Sequence, residues 1–165
     1  MEQPIVNTMC LFSNFTSMKL ICLVIPLLSW LMPAQWEPDM VRAQKNAREQ
    51  HKAILLNFSG SDWCAPCIKM HKEIFNADDF SQWANQHLIL VNADFPREKK
   101  HQLPKNIQEQ NNRLADSYNP KGIFPFTVLI NENGTVLRSW EGYPKTSPPE
   151  FIQEITATLS TNTKK

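Results

Sequence analysis

Apolar positions along the chain change their spacing several times, and each change marks an element. Between Asp39 and Gln50, Met40, Ala43 and Ala47 recur at helical intervals among basic residues, with Pro38 just ahead, so an amphipathic helix is predicted. Residues 53–58 (AILLNF) form a short unbroken apolar run whose length fits a buried strand. From Cys64 to Phe75, the residues Cys67, Ile68, Met70, His71, Ile74 and Phe75 make one broad helical stripe, broken by Lys69, Lys72 and Glu73. A shorter helix capped by Asn76 or Asp78 should run to His87, and residues 87–94 (HLILVNAD) read as a second buried strand. A polar, Pro-flanked stretch, 95–105, leads into a long helix over Asn106 to Tyr118, with Ile107, Leu114, Ala115 and Tyr118 inward. Asn119-Pro120-Lys121-Gly122 stops it. Two β-rich runs, 126–130 and 135–140, flank Asn133-Gly134, a strong hairpin signal, and a last helix spans Pro149 to Leu159. Residues 161–165 read as a frayed tail. Strands alternating with helices and closing on a hairpin predict an α/β fold with a central mixed β-sheet flanked by helices.

The first 34 residues stand apart. Leu20 to Met32 carries no charge, follows Lys19 and precedes Pro33-Ala34, the pattern of a secretory signal cut between Ala34 and Gln35. An uncleaved membrane anchor is the alternative, but a span needs roughly 20 apolar residues and Pro26 and Pro33 interrupt any extension. Met18, directly before Lys19, would give the signal an ordinary positively charged start in place of Met1. The mature domain then covers 35–160 and is periplasmic or otherwise exported. Cys10 and Cys22 leave with the signal, so Cys64 and Cys67 are the thiols that remain, in an oxidising compartment.

Charge narrows the function. Lys and Arg total 17 against 16 Asp and Glu, and loss of Glu2 and Lys19 leaves the balance at +1. That field is too weak to gather phosphates, so no nucleic-acid partner is expected. Neither Gly-x-Gly nor Gly-Lys-Ser/Thr occurs, which removes the usual phosphate-cradling loops. Chemistry has to be local.

The sequence Trp63-Cys64-Ala65-Pro66-Cys67 lies where a predicted strand hands over to a predicted helix. Unpaired N–H groups and the positive end of the helix dipole stabilise a thiolate there and lower its pKa. Cys64 at the tip is the nucleophile; Cys67, one turn in, can resolve a mixed disulfide. Pro66 costs nothing in a first turn, where its missing N–H has no helical partner. A structural disulfide is the plain alternative, poorly served by so short a loop. A copper-carrying metallochaperone is the sharper rival: Cys64, Cys67 and His71 would supply three soft or borderline ligands, although His71 reads more readily as a helix-flank residue.

Over about residues 36–159 the chain resembles the thioredoxin superfamily, in the form of small exported bacterial thioredoxin-like proteins with an extra N-terminal helix. The resemblance rests on AILLNF, WCAPC with IKMHKEIF, LILVNAD, LADSYNPKGIFPFTVLI and ENGTVLRSWEGY. It implies a thioredoxin fold and a thiol–disulfide oxidoreductase that needs no bound cofactor and, for metal, none. It also implies a cis-proline at Pro125, 58 residues after Cys67, with the backbone of Phe124 pairing to an extended substrate. Trp63 and Phe124 would form an apolar rim, and Gly142 would leave room for the partner. The implied partners are disulfide or dithiol protein substrates and a membrane or soluble redox partner. Ala-Pro between the cysteines is closer to the Gly-Pro of reducing thioredoxins than to the Pro-His of strong oxidants, which favours a reductase. Two departures stand out. The family's buried Asp is replaced by Asn57, and the Lys that partners it by Leu90, leaving Glu73, a water or nothing to accept the resolving cysteine's proton. Asp62, read as exposed, would slightly oppose thiolate formation.

Overall fold

The computed structural model describes residues 34–162. The signal or anchor expected over 1–34 lies outside the described residues except for Ala34. Among the described residues no helix is long and apolar enough to cross a membrane.

The elements follow in the order β1 (Trp36–Glu37), α1 (Met40–Gln50), β2 (Ala53–Ser59), α2 (Ala65–Met70), α3 (Asp78–His87), β3 (Leu88–Asp94), α4 (Lys105–Tyr118), β4 (Phe126–Ile130), β5 (Val136–Glu141) and α5 (Pro148–Asn162). Five strands form one mixed sheet in the order β1-β3-β2-β4-β5. β2 is central, parallel to β3 and antiparallel to β4. Buried on both faces, it carries an apolar residue at nearly every position rather than an alternating pattern. Ile54, Leu56 and Phe58 join Met40, Ala43, Ala47 and Leu114 of α1 and α4 on one face. Leu55 joins Met70, Ile74, Phe80, Phe151 and Ile155 on the other, beneath α2, α3 and α5. Each large side chain so buried contributes roughly 1.5–3 kcal/mol.

Several sequence expectations shift. Trp36-Glu37 is a short strand, pairing in parallel with Leu90 and Val91. The helix expected over 64–75 is α-helical to Met70 and widens into a π turn over His71–Phe75. Ile68, placed in its inward stripe, is 48% exposed, because Cys67 and Met70 take the sheet-facing positions and Ile68 falls on the opposite flank. Neither Asn76 nor Asp78 caps α3; its N-cap is Ala77, and Asp78 and Asp79 support the first turn by charge alone. In α4 the polar Asn111 turns inward beside Leu114 to donate to the Asp94 carbonyl, while Ile107 is half-buried. α5 continues to Asn162, two residues into the expected tail.

Candidate active site

β2 runs directly into the site. After Ser59 the chain turns at Gly60, whose carbonyl accepts from Trp63 N (3.3 Å) and Cys64 N (2.9 Å). Gly60 has to be glycine: a Cβ there would lie 2.3 Å from Trp63 Cε2. The indole is pinned further by its Nε1 donating to the Phe95 carbonyl at 2.7 Å. Cys64 is the N-cap of α2, and its Sγ accepts from the Cys67 N–H at 3.3 Å, as serine or aspartate oxygens do at other helix starts. That hydrogen bond and the helix dipole both favour negative charge on Cys64. The two sulfurs are joined as a disulfide, with Cα atoms 5.2 Å apart. Both residues are buried, Cys64 4% exposed and Cys67 1%.

A second group of residues packs beside Trp63. The Phe124–Pro125 peptide bond is cis. The Phe124 ring lies 5.5 Å from Trp63 and 5.5 Å from Phe95, edge-on in both cases. Gly142 N donates to the Pro125 carbonyl at 2.9 Å, tying the end of β5 to the Pro125 turn. Its φ of 75° favours glycine, and a Cβ there would meet nothing within 4 Å, so the space beside it is open. The following Tyr143 donates its hydroxyl to Glu73 Oε2 at 2.7 Å, and Lys69 lies over the Tyr143 ring.

Asp62 is not the exposed neighbour expected. Its side chain is 4% exposed and accepts from the backbone N–H of Arg97 (3.0 Å) and Glu98 (2.8 Å), with His101 Nδ1 at 3.2 Å. The Arg97 and Glu98 amides and His101 hold its carboxyl below the usual range, against the opposing effect of burial. Its charge is spent on fastening the 95–101 loop, which brings the Arg97 guanidinium to 3.8 Å from the Trp63 ring centroid. Sequence reasoning had missed Gly60, Phe95 and Arg97, since no local pattern links them to Cys64.

Beneath α2 the sheet carries a polar row. Asn57 pairs in register with Asn92 on β3 and Thr127 on β4, and the side chains connect. Thr127 Oγ1 donates to Asn57 Oδ1 (3.1 Å), and Asn57 Nδ2 donates to Asn92 Oδ1 (3.0 Å). Ser59 Oγ bridges Asn92 and Asp94. Leu90 is buried and apolar, so the charged pair of typical thioredoxins is absent from this floor. Glu73, one candidate replacement, is paired outward with Lys69 and Tyr143.

His71 is not a simple helix-flank residue. Its Nε2 lies 3.4 Å from Asn57 Nδ2, and its ring packs on Trp36 and Phe75. Burial pushes its pKa below the ordinary value, opposed by the Asn92 amide and the Asp94 carboxylate. Among the described residues, Asp62, Glu98 and His101 are the three whose ligand atoms come close enough to share a metal ion; Cys64, Cys67 and His71 do not gather in that way. The geometry gives the copper reading no support. In the Asp62 group the carboxylate already serves two backbone amides.

A cystine capping a helix at the end of a central strand, in a chain whose β4 follows a cis-proline, defines a thioredoxin-fold thiol–disulfide oxidoreductase. Comparison with known proteins agrees. Residues 40–158 match the thioredoxin-like domain family, to which the chain belongs. It is 40% identical over 125 residues to the disulfide bond reductase DsbH of Chlamydia pneumoniae, covering 76% of this chain and 72% of that protein. A solved DsbH oxidoreductase superposes with a TM-score of 0.71 at 31% identity, over 78% of this chain and 86% of that one. A thioredoxin from Thermus thermophilus shares the fold at 16% identity, with a TM-score of 0.58 over 78% and 88% of the two chains.

Proposed function

We propose that the protein is an exported disulfide reductase in which Cys64 attacks a cystine of a protein substrate and Cys67 releases the product. The observation that carries the reading is the Cys67 N–H directed at Cys64 Sγ, 3.3 Å away, at the first turn of α2. Two facts support the reducing direction: the Ala-Pro dipeptide between the cysteines, and 40% identity to a protein described as a disulfide bond reductase. Export is supported by the uncharged run from Leu20 to Met32.

The rim supports a strand-addition mode of binding, with an extended substrate segment lying along the Phe124 backbone in the open space beside Gly142. Trp63 and Phe124 flank its cystine, and the exposed Ile68, one turn along α2 from Cys64, adds apolar surface. Each turnover leaves the protein oxidised, so a membrane or soluble dithiol partner must reduce it again.

Insulin reduction in the presence of a dithiol tests the reading. Cys64→Ser should fall to background, and Cys67→Ser should accumulate a mixed disulfide visible by mass spectrometry. An equilibrium potential near about −270 mV fits a reductase, while one near about −120 mV would reverse the direction. Activity that survives replacement of both cysteines would end the proposal.

A further inference from the structure

Cys67 must lose its proton before it can free a bound substrate, yet it is the more buried of the two cysteines. A free thiol has a pKa near 8.5, and apolar burial raises it. At neutral pH an unassisted Cys67 would seldom be a thiolate, so a nearby acceptor matters. The polar groups beneath α2 do not qualify: Asn57, Asn92 and Thr127 have no basic site that takes a proton near pH 7.

His71 does. Cys67, Met70 and Ile74 are the buried, sheet-facing positions of the helical segment, and His71 belongs to the same side, four residues after Cys67. Its backbone N–H donates to the Cys67 carbonyl, and its ring reaches Asn57 on the strand below. The helix widens at this residue, with Asn76 N bonding the His71 carbonyl at 2.9 Å in an i to i+5 step, a local departure found often at functional sites. The groups around the ring carry no charge of their own: Trp36 on β1, Asn57 on β2, Asn92 on β3 and Phe75 on its own helix. On the same helical segment Lys72 and Glu73 are exposed. Asp94 on β3 is the carboxylate whose field reaches the ring, and it is bonded by Ser59 and Ser61. Burial thus favours a neutral, proton-accepting imidazole.

We propose that His71 accepts the Cys67 proton during product release, with Asn57 as the amide that holds the neutral ring in place. The proposal rests on the dithiol–disulfide reading above. In the mixed disulfide, Cys64 Sγ is bonded to the substrate sulfur and Cys67 is a thiol. Its proton passes to neutral His71, and the Cys67 thiolate attacks Cys64 Sγ. The Cys64–Cys67 bond forms as the Cys64–substrate bond breaks, and the electron pair leaves on the substrate sulfur. That sulfur takes up the proton and His71 returns to neutral. Asn57 donates from Nδ2 to the neutral ring and to Asn92 Oδ1, while its Oδ1 accepts from Thr127, so the network holds the imidazole with Nε2 as the accepting nitrogen. A carboxylate at this position could serve only the protonated ring.

The test uses the reduced protein and 5,5′-dithiobis(2-nitrobenzoate), which releases one thionitrobenzoate when Cys64 attacks and a second when Cys67 resolves. In His71→Gln the second phase should slow by about tenfold or more at pH 7, the lower end of general-base effects. The loss should shrink towards pH 9, where Cys67 ionises unaided, and Asn57→Asp in the His71→Gln background should restore the rate at pH 7. The first phase should stay within about twofold. An unchanged second phase, or one slowed equally at every pH, overturns the proposal. A first phase no faster than free cysteine in the wild type instead defeats the dithiol–disulfide reading itself. Should His71→Gln not fold, proton NMR of the wild type decides: the His71 titration should differ between the dithiol and disulfide forms, and identical titrations count against the assignment.

Discussion

The rim and the floor of the site are built in opposite ways. The rim, made of Trp63, Phe95, Phe124 and the 95–101 loop, is half-exposed and held by main-chain contacts: Gly60 O, Phe95 O, and the Arg97 and Glu98 amides. The floor, made of Asn57, Asn92, Thr127 and His71 with Phe75 beside it, is joined side chain to side chain across three strands and a helix. Under the proposed function, a rim held through backbone atoms leaves its side chains free to meet substrates of different shape. Under the same function Cys67 always faces the same surroundings, and a buried polar row must be fully paired to be tolerated. Damage to the floor should therefore cost stability, and damage to the rim should cost activity.

The largest separation is expected from Phe75→Ala. Phe75 is fully buried and its ring meets Trp36, His71, Phe80 and Phe151, so truncation should cost about 3–5 kcal/mol in urea unfolding. Phe124→Ala, on the half-exposed rim, should cost much less than that while lowering kcat/KM for insulin. Equal stability losses in the two variants would erase the distinction.

Gly60→Ala comes next. With its Cβ 2.3 Å from Trp63, the indole must move, at an overpacking cost of about 1–3 kcal/mol. A shift in Trp63 fluorescence together with roughly tenfold lower kcat/KM, equivalent to about 1.4 kcal/mol in transition-state stabilisation, would show that the rim depends on this turn. Arg97→Ala should be milder, removing a stacked cation worth about 0.5–1 kcal/mol at an exposed site. Calorimetry should show a Tm lower by about 2–4 °C, with a slower reaction towards insulin.

The smallest effect is one of pH. Burial lowers the His71 pKa in the folded state, so the unfolded chain takes up the proton first as the solution is acidified. Stability then declines as pH falls through about 6.5, the unfolded value, and goes on declining until the folded ring also protonates. His71→Gln should flatten urea midpoints between pH 7 and 5; an equally steep decline would place the sensitivity elsewhere.

Much of this protein was legible in order along the chain. The strand–Cys-x-x-Cys–helix junction and the hairpin at Asn133-Gly134 were signalled by contiguous residues, and the cis bond at Pro125 was implied by the resemblance to the thioredoxin superfamily. Such features depend on local geometry, and neighbours in sequence supply it. The fate of Asp62 was misread because its partners lie 35 to 39 residues away, in a loop with no pattern of its own. Ile68 was placed inward because a stripe wider than the buried face gives no sign of which edge meets the sheet.

The sequence by itself narrowed the chemistry to two thiols at a helix tip, and the resemblance to the thioredoxin superfamily pointed them to disulfide exchange. Only the packed molecule decided what lies around them. Asn57, Asn92, Thr127 and His71 come from four separate elements, and they meet because strand register and the facing of one helix bring distant side chains within 3.0–3.4 Å. Hydrogen bonds of that kind form only where the sheet and helix are already assembled, which is why the floor of the site was invisible until the fold was known.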